Sequence, residues 1–385
     1  IFYVSYISNM ISNYIQQIKN NTFDCENMMT VIQKADLALV KDIIALNNEE
    51  YISELLRTAV YCNRQDIVEV CHKMQVTCFT DEHMDSAASA GYLDLVKWLH
   101  KHRNEGCTQY AMNNAARNGH FETFKWLHEN TSASCTSYAI DRASGNGHLE
   151  IVKFIHENIK QFGSQWALDL ASINGHIDVV TFLNENQSSG ATTFAMNHAA
   201  GNGHLNVVKY LHEHRSEGCT TLAMDYAAGY GHLDIVKFLH EHRDEGCTDF
   251  AIDYAAKNGH LEVIKFLDKH RSEGCTRYAM DDAARNGHLE VVKYLHENRS
   301  EGCSRRAFES CSPQILQFLC ENYYNIVKTL DEQTYNEKVL PIAVKKLRRS
   351  MKLLQKLTII ETFLCKQLVW APASSYIKRI TNFDD

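Results

Sequence analysis

A segment of 28 residues recurs along most of this chain without change in length. The centre of each copy is a small residue, and ten copies carry it at Ala35, Asn63, Gly91, Gly119, Gly147, Gly175, Gly203, Gly231, Gly259 and Gly287. A fixed period in this range is typical of stacked repeat proteins, in which each repeat buries its apolar face against its neighbours. The period therefore predicts one elongated array of repeats rather than a globule with a single core.

Each copy has the pattern of a helix, a tight turn and a second helix. In the copy Cys275–Gly302, Thr276 is a favourable N-cap residue, and alanine and methionine follow it at spacings of three and four. The Asn-Gly pair at 286–287 then ends the first helix, because glycine adopts the left-handed conformation at no steric cost. Leu289–Leu295 has apolar and charged residues at helical spacing and predicts the second helix. The predicted fold class is an all-α solenoid of stacked helix-turn-helix repeats.

Paired alanines recur at one place in the first helix of most repeats, as at Ala283 and Ala284. Small side chains allow neighbouring first helices to approach closely, whereas the second helices carry Val, Leu and aromatic residues and need more space. This difference in bulk predicts that the stack curves, with the first helices on its concave side.

The pattern resembles the ankyrin repeat. The family's A-A-x-x-G-H-L-E-V-V-K motif is matched by Ala283, Ala284 and the stretch Gly287–Lys293, and by their equivalents in at least seven repeats. The period falls short of the family's length of about 33 residues, and the missing residues lie where ankyrin repeats carry a β-hairpin. The resemblance therefore implies little or no hairpin, and it implies a structural role for the histidine after the turn glycine.

The start of the first helix departs from the family, because the T-P-L-H segment reads Tyr-Ala-Met-Asp at Tyr278–Asp281. The hydrogen bonds that T-P-L-H makes in the family are therefore either absent in this chain or rebuilt around Asp281.

The pattern changes at both ends of the array. We predict an N-terminal helix over residues 1–22. The chain does not begin with methionine, so a truncated N-terminus remains an open alternative. The repeat array is predicted over 23–320, with degenerate end repeats that expose a polar outer face. Residues 321–385 are predicted to form a helical C-terminal tail or cap. Within it, Ile342–Leu368 has the apolar stripe and basic residues of a long cationic helix.

Charge limits the partners. The chain carries a formal net charge of −8, so the array itself is a poor surface for sequence-independent nucleic-acid binding. The basic tail is the one segment that fits a membrane surface or nucleic acid. The simpler interpretation, which we favour, is a helix docked on the last repeat with its cations in water.

The cysteines indicate a reducing compartment. Six of the thirteen occupy one repeat position, at Cys107, Cys135, Cys219, Cys247, Cys275 and Cys303. Stacked helices lie about 8–10 Å apart, whereas bridged cysteines need Cα atoms within about 7 Å. Residues 1–18 do not have the pattern of a signal peptide or a membrane span. We therefore expect an intracellular protein, most simply a cytoplasmic one.

Neither catalysis nor a cofactor is expected. The chain has 20 histidines, but most recur once per repeat, which does not gather three or four ligands around one metal ion. The chain contains no nucleophile elbow, phosphate loop or H-E-x-x-H motif. We predict no enzyme, no metal, no cofactor and no small-molecule substrate.

Two positions of the first helix change chemistry between repeats while the framework stays constant. The candidate partner-binding residues at these positions lie five residues before the turn glycine, at Arg142, His198, Tyr226, Tyr254 and Asp282, and two residues before it, at Arg117, Lys257 and Arg285. Tyrosine and arginine are enriched at binding hot spots. A third set keeps its aromatic character and is predicted to lie in the core: Tyr110, Tyr138, Trp166, Phe194, Phe250 and Tyr278.

These observations predict a non-enzymatic scaffold that binds a protein partner on the concave face of the array. The alternative is a substrate-selecting adaptor, whose activity resides in the tail or in a missing N-terminal domain. A longer reading frame with its own N-terminal domain would favour the adaptor.

Overall fold

The computed structural model describes residues 32, 37–45, 48–186, 190–330 and 335–341. The helices predicted over 1–22 and Ile342–Leu368 lie outside these residues, as does the first turn residue, Ala35. The part of the chain that is described is helical and contains no strand, which confirms the predicted all-α repeat fold without hairpins. The chain divides into two compact units, one of Ile1–Ala227 with Asp234–Gly246 and one of Ala228–Leu233 with Cys247–Asp385.

The first unit contains α1 to α13 and most of α14 and α15. Their bounds are α1 Leu37–Ala45, α2 Glu49–Tyr61, α3 Gln65–Lys73, α4 Asp81–Ser89, α5 Leu93–His102, α6 Gln109–Arg117, α7 Phe121–Asn130, α8 Ser137–Gly145, α9 Leu149–Phe154, α10 Gln165–Ile173, α11 Ile177–Asn186, α12 Thr193–Gly201, α13 Leu205–His214, α14 Thr221–Gly229 and α15 Leu233–His242. A π-helical turn, Ile155–Ile159, continues α9.

The second unit continues the same pattern and then departs from it. Its helices are α16 Phe250–Asn258, α17 Leu261–His270, α18 Arg277–Arg285, α19 Leu289–Asn298, α20 Pro313–Asn322 and α21 Tyr324–Val327. A 3₁₀ turn, Arg305–Phe308, takes the place of a first helix before α20, and a π-helical turn spans Tyr335–Val339.

The predicted caps and turns form each helix pair. Before α18, the Thr276 hydroxyl accepts a hydrogen bond from the backbone N–H of Tyr278 at 3.1 Å, as an N-cap should. The helix ends before Gly287, whose φ of +86° lies in the left-handed region that glycine tolerates. The second helix, α19, then buries Val291, Val292 and Leu295.

The paired alanines form the contact between neighbouring first helices. Ala283 and Ala284 are completely buried, as are Ala115 and Ala116 in α6. The most extensive contacts between helices of neighbouring repeats join first helices, as in α4–α6, α8–α10 and α16–α18. Small side chains thus bring first helices together, as the sequence predicts.

A buried polar residue in most first helices holds the N-cap of the next repeat. Both carboxylate oxygens of Asp281 accept hydrogen bonds from Ser304, one from its backbone N–H at 2.7 Å and one from its hydroxyl at 2.5 Å. Equivalent pairs join residues 23 positions apart, at Asp85 and Thr108, Asn113 and Thr136, Asp141 and Ser164, Asp169 and Thr192, Asn197 and Thr220, and Asp253 and Thr276. The network at the helix start is therefore rebuilt around Asp281, not lost.

The turns are also stacked on one another. The side chain of Asn286 donates a hydrogen bond at 2.7 Å to the backbone oxygen of Lys257, one repeat earlier. The ring of the turn histidine lies over the turn glycine of the preceding repeat, so a Cβ atom on Gly147 would lie 2.6 Å from Nδ1 of His176. These contacts give the histidine the structural role that the family resemblance implies.

The shared cysteine position is buried or half-buried. Cys135, Cys219, Cys247 and Cys303 are buried, and Cys107 and Cys275 are half-buried. None of the cysteines in the described ranges forms a disulfide. Burial raises the pKa of Cys219 to about 11, so this thiol stays protonated and unreactive near neutral pH.

Candidate partner-binding surface

The candidate residues lie on the outward face of the first helices. In the first unit Arg117 and Arg142 are exposed, and His198 and Tyr226 are half-buried. In the second unit Asp282 is half-buried, whereas the three other candidates there are exposed: Tyr254, Lys257 and Arg285.

The aromatic set predicted to lie in the core is exposed instead, and that prediction is wrong. The exposed fractions of Tyr110, Tyr138, Trp166, Phe194, Phe250 and Tyr278 range from 38% to 61%. Five of these residues are the second of their helices, where the buried stripe consists of the third, fourth, fifth, seventh and eighth residues. In α16, which begins one position later, Phe250 is the first residue and the buried stripe is shifted by one. Constant chemistry at this position therefore does not come from burial in the core.

Helical geometry places the aromatic position on the same face as the two variable positions. The second, sixth and ninth residues of a helix are spaced by four and three and so lie side by side. In α18 they are Tyr278, Asp282 and Arg285, and in α12 they are Phe194, His198 and Gly201. We call this stripe the display face. The spacing of the three positions alone predicts this stripe, whereas the constant aromatic character of one of them favours a buried position and so points the wrong way.

The two variable positions are coupled across neighbouring repeats. A Cβ atom on Gly201 would lie 2.9 Å from the Cβ atom of Tyr226, in the first unit. In the second unit a Cβ atom on Gly229 would lie equally close, at 2.9 Å, to that of Tyr254. Glycine at the end of one first helix therefore makes room for the tyrosine that lies five residues before the turn glycine of the next repeat. Each tyrosine is seated on backbone and still presents part of its ring to solvent.

Aromatic rings adjoin one another on the display face of the first unit. The ring centroids of Phe194 and His198 are 3.9 Å apart, and those of His198 and Tyr226 are 5.5 Å apart. Trp166 lies 6.3 Å from Phe194 in an edge-to-face arrangement. We call Trp166, Phe194, His198 and Tyr226 the aromatic row. Burial of His198 lowers its pKa, so this ring is mainly neutral at pH 7.

The display face of the second unit mixes rings with charges. Phe250 stacks on Tyr254 with centroids 5.5 Å apart. The Arg306 guanidinium lies 5.5 Å from the centroid of the Tyr278 ring. This face is thus more polar than the aromatic row.

No group of three or more His, Cys, Asp or Glu side chains that could hold a metal ion occurs within the described ranges. No helix in those ranges is both long enough and apolar enough to cross a membrane. What the described residues offer is a surface built on a regular framework, the arrangement of a helical repeat protein.

Comparison with known families identifies the class further. Family models described as ankyrin repeats match residues 112–193, 168–249 and 224–306 in one case and residues 84–128 in another. Together these matches run from residue 84 to residue 306 and cover more than half of the chain. The chain belongs to the ankyrin repeat family.

Solved structures of helical repeat proteins are similar to this chain. The human ASB11 ankyrin repeat domain is 20% identical, with a TM-score of 0.32, and the similarity covers 56% of this chain and 97% of that domain. The pentatricopeptide repeat protein PPR10, solved in complex with an 18-nt psaJ RNA element, is 10% identical with a TM-score of 0.48, over 92% of this chain and 56% of that one. None of the curated proteins matches the chain.

Proposed function

We propose that this protein is a non-enzymatic scaffold that binds a protein partner through the display face of its first helices, the side that the sequence predicts to be concave. Ankyrin repeats are generally protein-interaction modules. The observation that carries the proposal is the contrast within the first helix. The buried stripe is nearly constant, whereas over seven repeats the position five residues before the turn glycine takes six residue types and the position two residues before it takes four. A constant framework with a variable exposed face is the arrangement of a recognition surface.

The tyrosines are suited to this role. Tyr226 and Tyr254 are each held against a glycine of the preceding repeat, which restricts their rotation before a partner arrives. A side chain that is already ordered loses less conformational entropy on binding. Tyr254 is 41% exposed, so it still has ring surface to bury.

The setting is proposed to be intracellular and most simply cytoplasmic. This rests on the cysteines of the described ranges, none of which forms a disulfide, as is usual in a reducing compartment.

The Tyr226→Ala, Tyr254→Ala double variant tests the proposed function. Quantitative affinity capture with the full chain as bait should show partners retained by the wild type and reduced about tenfold or more in the variant, because truncating a hot-spot tyrosine costs about 1–2 kcal/mol or more. The matched control is Tyr230→Ala, since Tyr230 is 63% exposed but lies in the turn between α14 and α15, off the display face. Equal capture by the wild type and a correctly folded double variant would contradict the proposal.

A further inference from the structure

The middle of the first unit's display face is apolar and uncharged. Trp166, Leu170 and Ile173 are the second, sixth and ninth residues of α10, so this helix presents three apolar side chains in one line. Phe194 follows on α12 and Leu222 on α14, and both are exposed. A contiguous exposed apolar patch on a protein surface marks an interaction site.

The same face is positively charged at the α6 and α8 end. Arg117 and Arg142 are exposed, and neither forms an ion pair with a residue that the structure describes. The Arg142 guanidinium lies 5.0 Å from the centroid of the Tyr138 ring, which holds it along the surface.

Exposed carboxylates are absent from the first helices α6, α8, α10, α12 and α14. The acidic residues on these helices are Asp141, Asp169 and Asp225, and all three are buried. Asp141 accepts two hydrogen bonds from Ser164, and Asp169 accepts two from Thr192. The exposed charge on these helices is therefore positive and lies at one end of an apolar surface.

We propose that this surface binds an unfolded peptide segment of a protein partner that has apolar side chains at one end and carboxylates at the other. The apolar side chains would cover the aromatic row, and the carboxylates would pair with Arg117 and Arg142. The inference rests on the proposed function and specifies its partner. First helices about 10 Å apart place α6 and α14 about 40 Å from each other, a distance that about 12 extended residues span.

A peptide fits better than a nucleic acid. Aromatic rings and arginines also bind single strands by stacking and charge, but a strand needs cations along its whole backbone. The exposed side chains of α10, α12 and α14 include no lysine or arginine. The net charge of −8 opposes a polyanion as well.

The test is a selection of peptides that bind the full chain from a displayed library of random 12-residue peptides. Peptides that also bind a Trp166→Ala, Phe194→Ala variant are removed by counter-selection. We expect enriched peptides to combine apolar residues with Asp or Glu at one end. Synthetic copies of the strongest peptide would then be titrated by calorimetry, with a 12-nucleotide single-stranded DNA as the competing class. Thermal unfolding of every variant checks that it folds.

Charge reversal at the cationic end supplies the sharpest comparison. Arg142→Glu should weaken binding of the selected peptide about tenfold or more and reduce its salt dependence, whereas Arg142→Lys should retain most of the binding. Lys97→Glu is the matched control and should leave the affinity unchanged, because Lys97 is exposed on the second helix α5 of the first unit, off the display face. Enrichment of basic or charge-free peptides, tighter binding of the DNA, or no effect of Arg142→Glu would overturn the inference.

The two tests fail separately. If the tyrosine double variant loses its captured partners but the selected peptides lack acidic residues, only the peptide inference is contradicted. If that variant captures partners as well as the wild type does, the proposed function is contradicted, whatever the peptides contain.

Discussion

At the scale of single residues, the fifth position of the first helix decides how repeats are joined. Asp169 is buried, and its two oxygens accept hydrogen bonds from the backbone N–H and the hydroxyl of Thr192 at 2.9 Å and 2.8 Å. Asn197 makes the equivalent contacts without a charge. Its Oδ1 accepts a hydrogen bond from the Thr220 N–H and its Nδ2 donates one to the Thr220 hydroxyl, both at 2.9 Å. The network therefore needs two polar atoms rather than a negative charge.

Burial raises the pKa of Asp169, and the hydrogen bonds from Thr192 offset only part of the rise. A carboxyl whose pKa is higher in the folded state binds more protons there, so its contribution to the free energy of unfolding falls as pH rises through the window above its unfolded value. The wild type should therefore lose stability relative to Asp169→Asn between pH 4 and pH 7. Urea unfolding of both proteins across this range measures the difference.

Two further variants check this expectation. Asn197→Asp should introduce the same pH dependence at a neutral site. Asp169→Ala should cost about 2 kcal/mol at pH 4, because it leaves donors of Thr192 unpaired, and less at pH 7, where the wild type has lost part of the contribution of Asp169. A stability difference that instead favours the wild type as pH rises would mean that the hydrogen bonds outweigh burial.

At the scale of elements, the turn between the two helices of a repeat is fixed by two requirements at once. Gly147 has a φ of +78°, and the ring of His176 from the next repeat occupies the space where a side chain would begin. Gly287 has the same backbone conformation, but nothing lies within 4 Å of the place where its Cβ atom would be. Gly147 thus represents the turns with both constraints, which also include those at Gly91, Gly119, Gly175, Gly231 and Gly259, whereas Gly287 has backbone strain alone.

Replacement of these glycines should separate the two effects. Gly287→Ala should cost about 1–2 kcal/mol, the strain of a left-handed alanine. Gly147→Ala should cost about 3 kcal/mol in total, since the clash with His176 adds to that strain. In a His176→Ala background the cost of Gly147→Ala should return to about 1–2 kcal/mol, as measured by the shift of the denaturation midpoint. Equal costs in both backgrounds would show that the ring does not constrain the turn.

One loop shows how far an element can vary while the period is kept. Most loops carry arginine, glutamate and a positive-φ glycine, as in Arg103–Gly106, where the arginine and the glutamate form an ion pair. Ile159–Phe162 lacks all three residues. The second helix of that repeat is instead extended by the π-helical turn, and Lys160 takes the left-handed conformation with a φ of +56°.

At the scale of the whole molecule, no disulfide contributes to the stability of the described part of the chain. None of its eleven cysteines is disulfide-bonded. Cohesion comes from repeated burial of small and branched side chains and from the polar contacts between neighbouring repeats, each of which is local in sequence.

We therefore expect thermal stability to be independent of reductant. The melting temperature should be the same with and without dithiothreitol, and alkylation after unfolding without reductant should modify at least eleven thiols. In the native protein Cys219 should react slowly, because burial raises its pKa to about 11. A melting temperature that falls on reduction would point to a disulfide and contradict this expectation.

Much of the architecture follows from the sequence by itself. The 28-residue period, the N-cap threonines, the Asn-Gly turns and the paired alanines are local or periodic signals, and each predicts an element that the structure contains. The helix-pair repeat fold and the family could be predicted from the sequence because the rules for capping and periodicity act within a few residues. The domain boundaries and the binding residues remain predictions.

Contacts between repeats were decided only by the tertiary structure. The seat of Tyr226 on Gly201, the ring of His176 over Gly147 and the rebuilt network at Asp281 join residues about one repeat apart, and spacing alone does not say which side chain meets which. The prediction that the aromatic residues near the helix start are buried is wrong for the same reason, because it depends on contacts with neighbouring helices. Constant chemistry is common to buried residues and to a maintained surface, and only the packing of neighbouring helices shows which side of a helix is left to solvent.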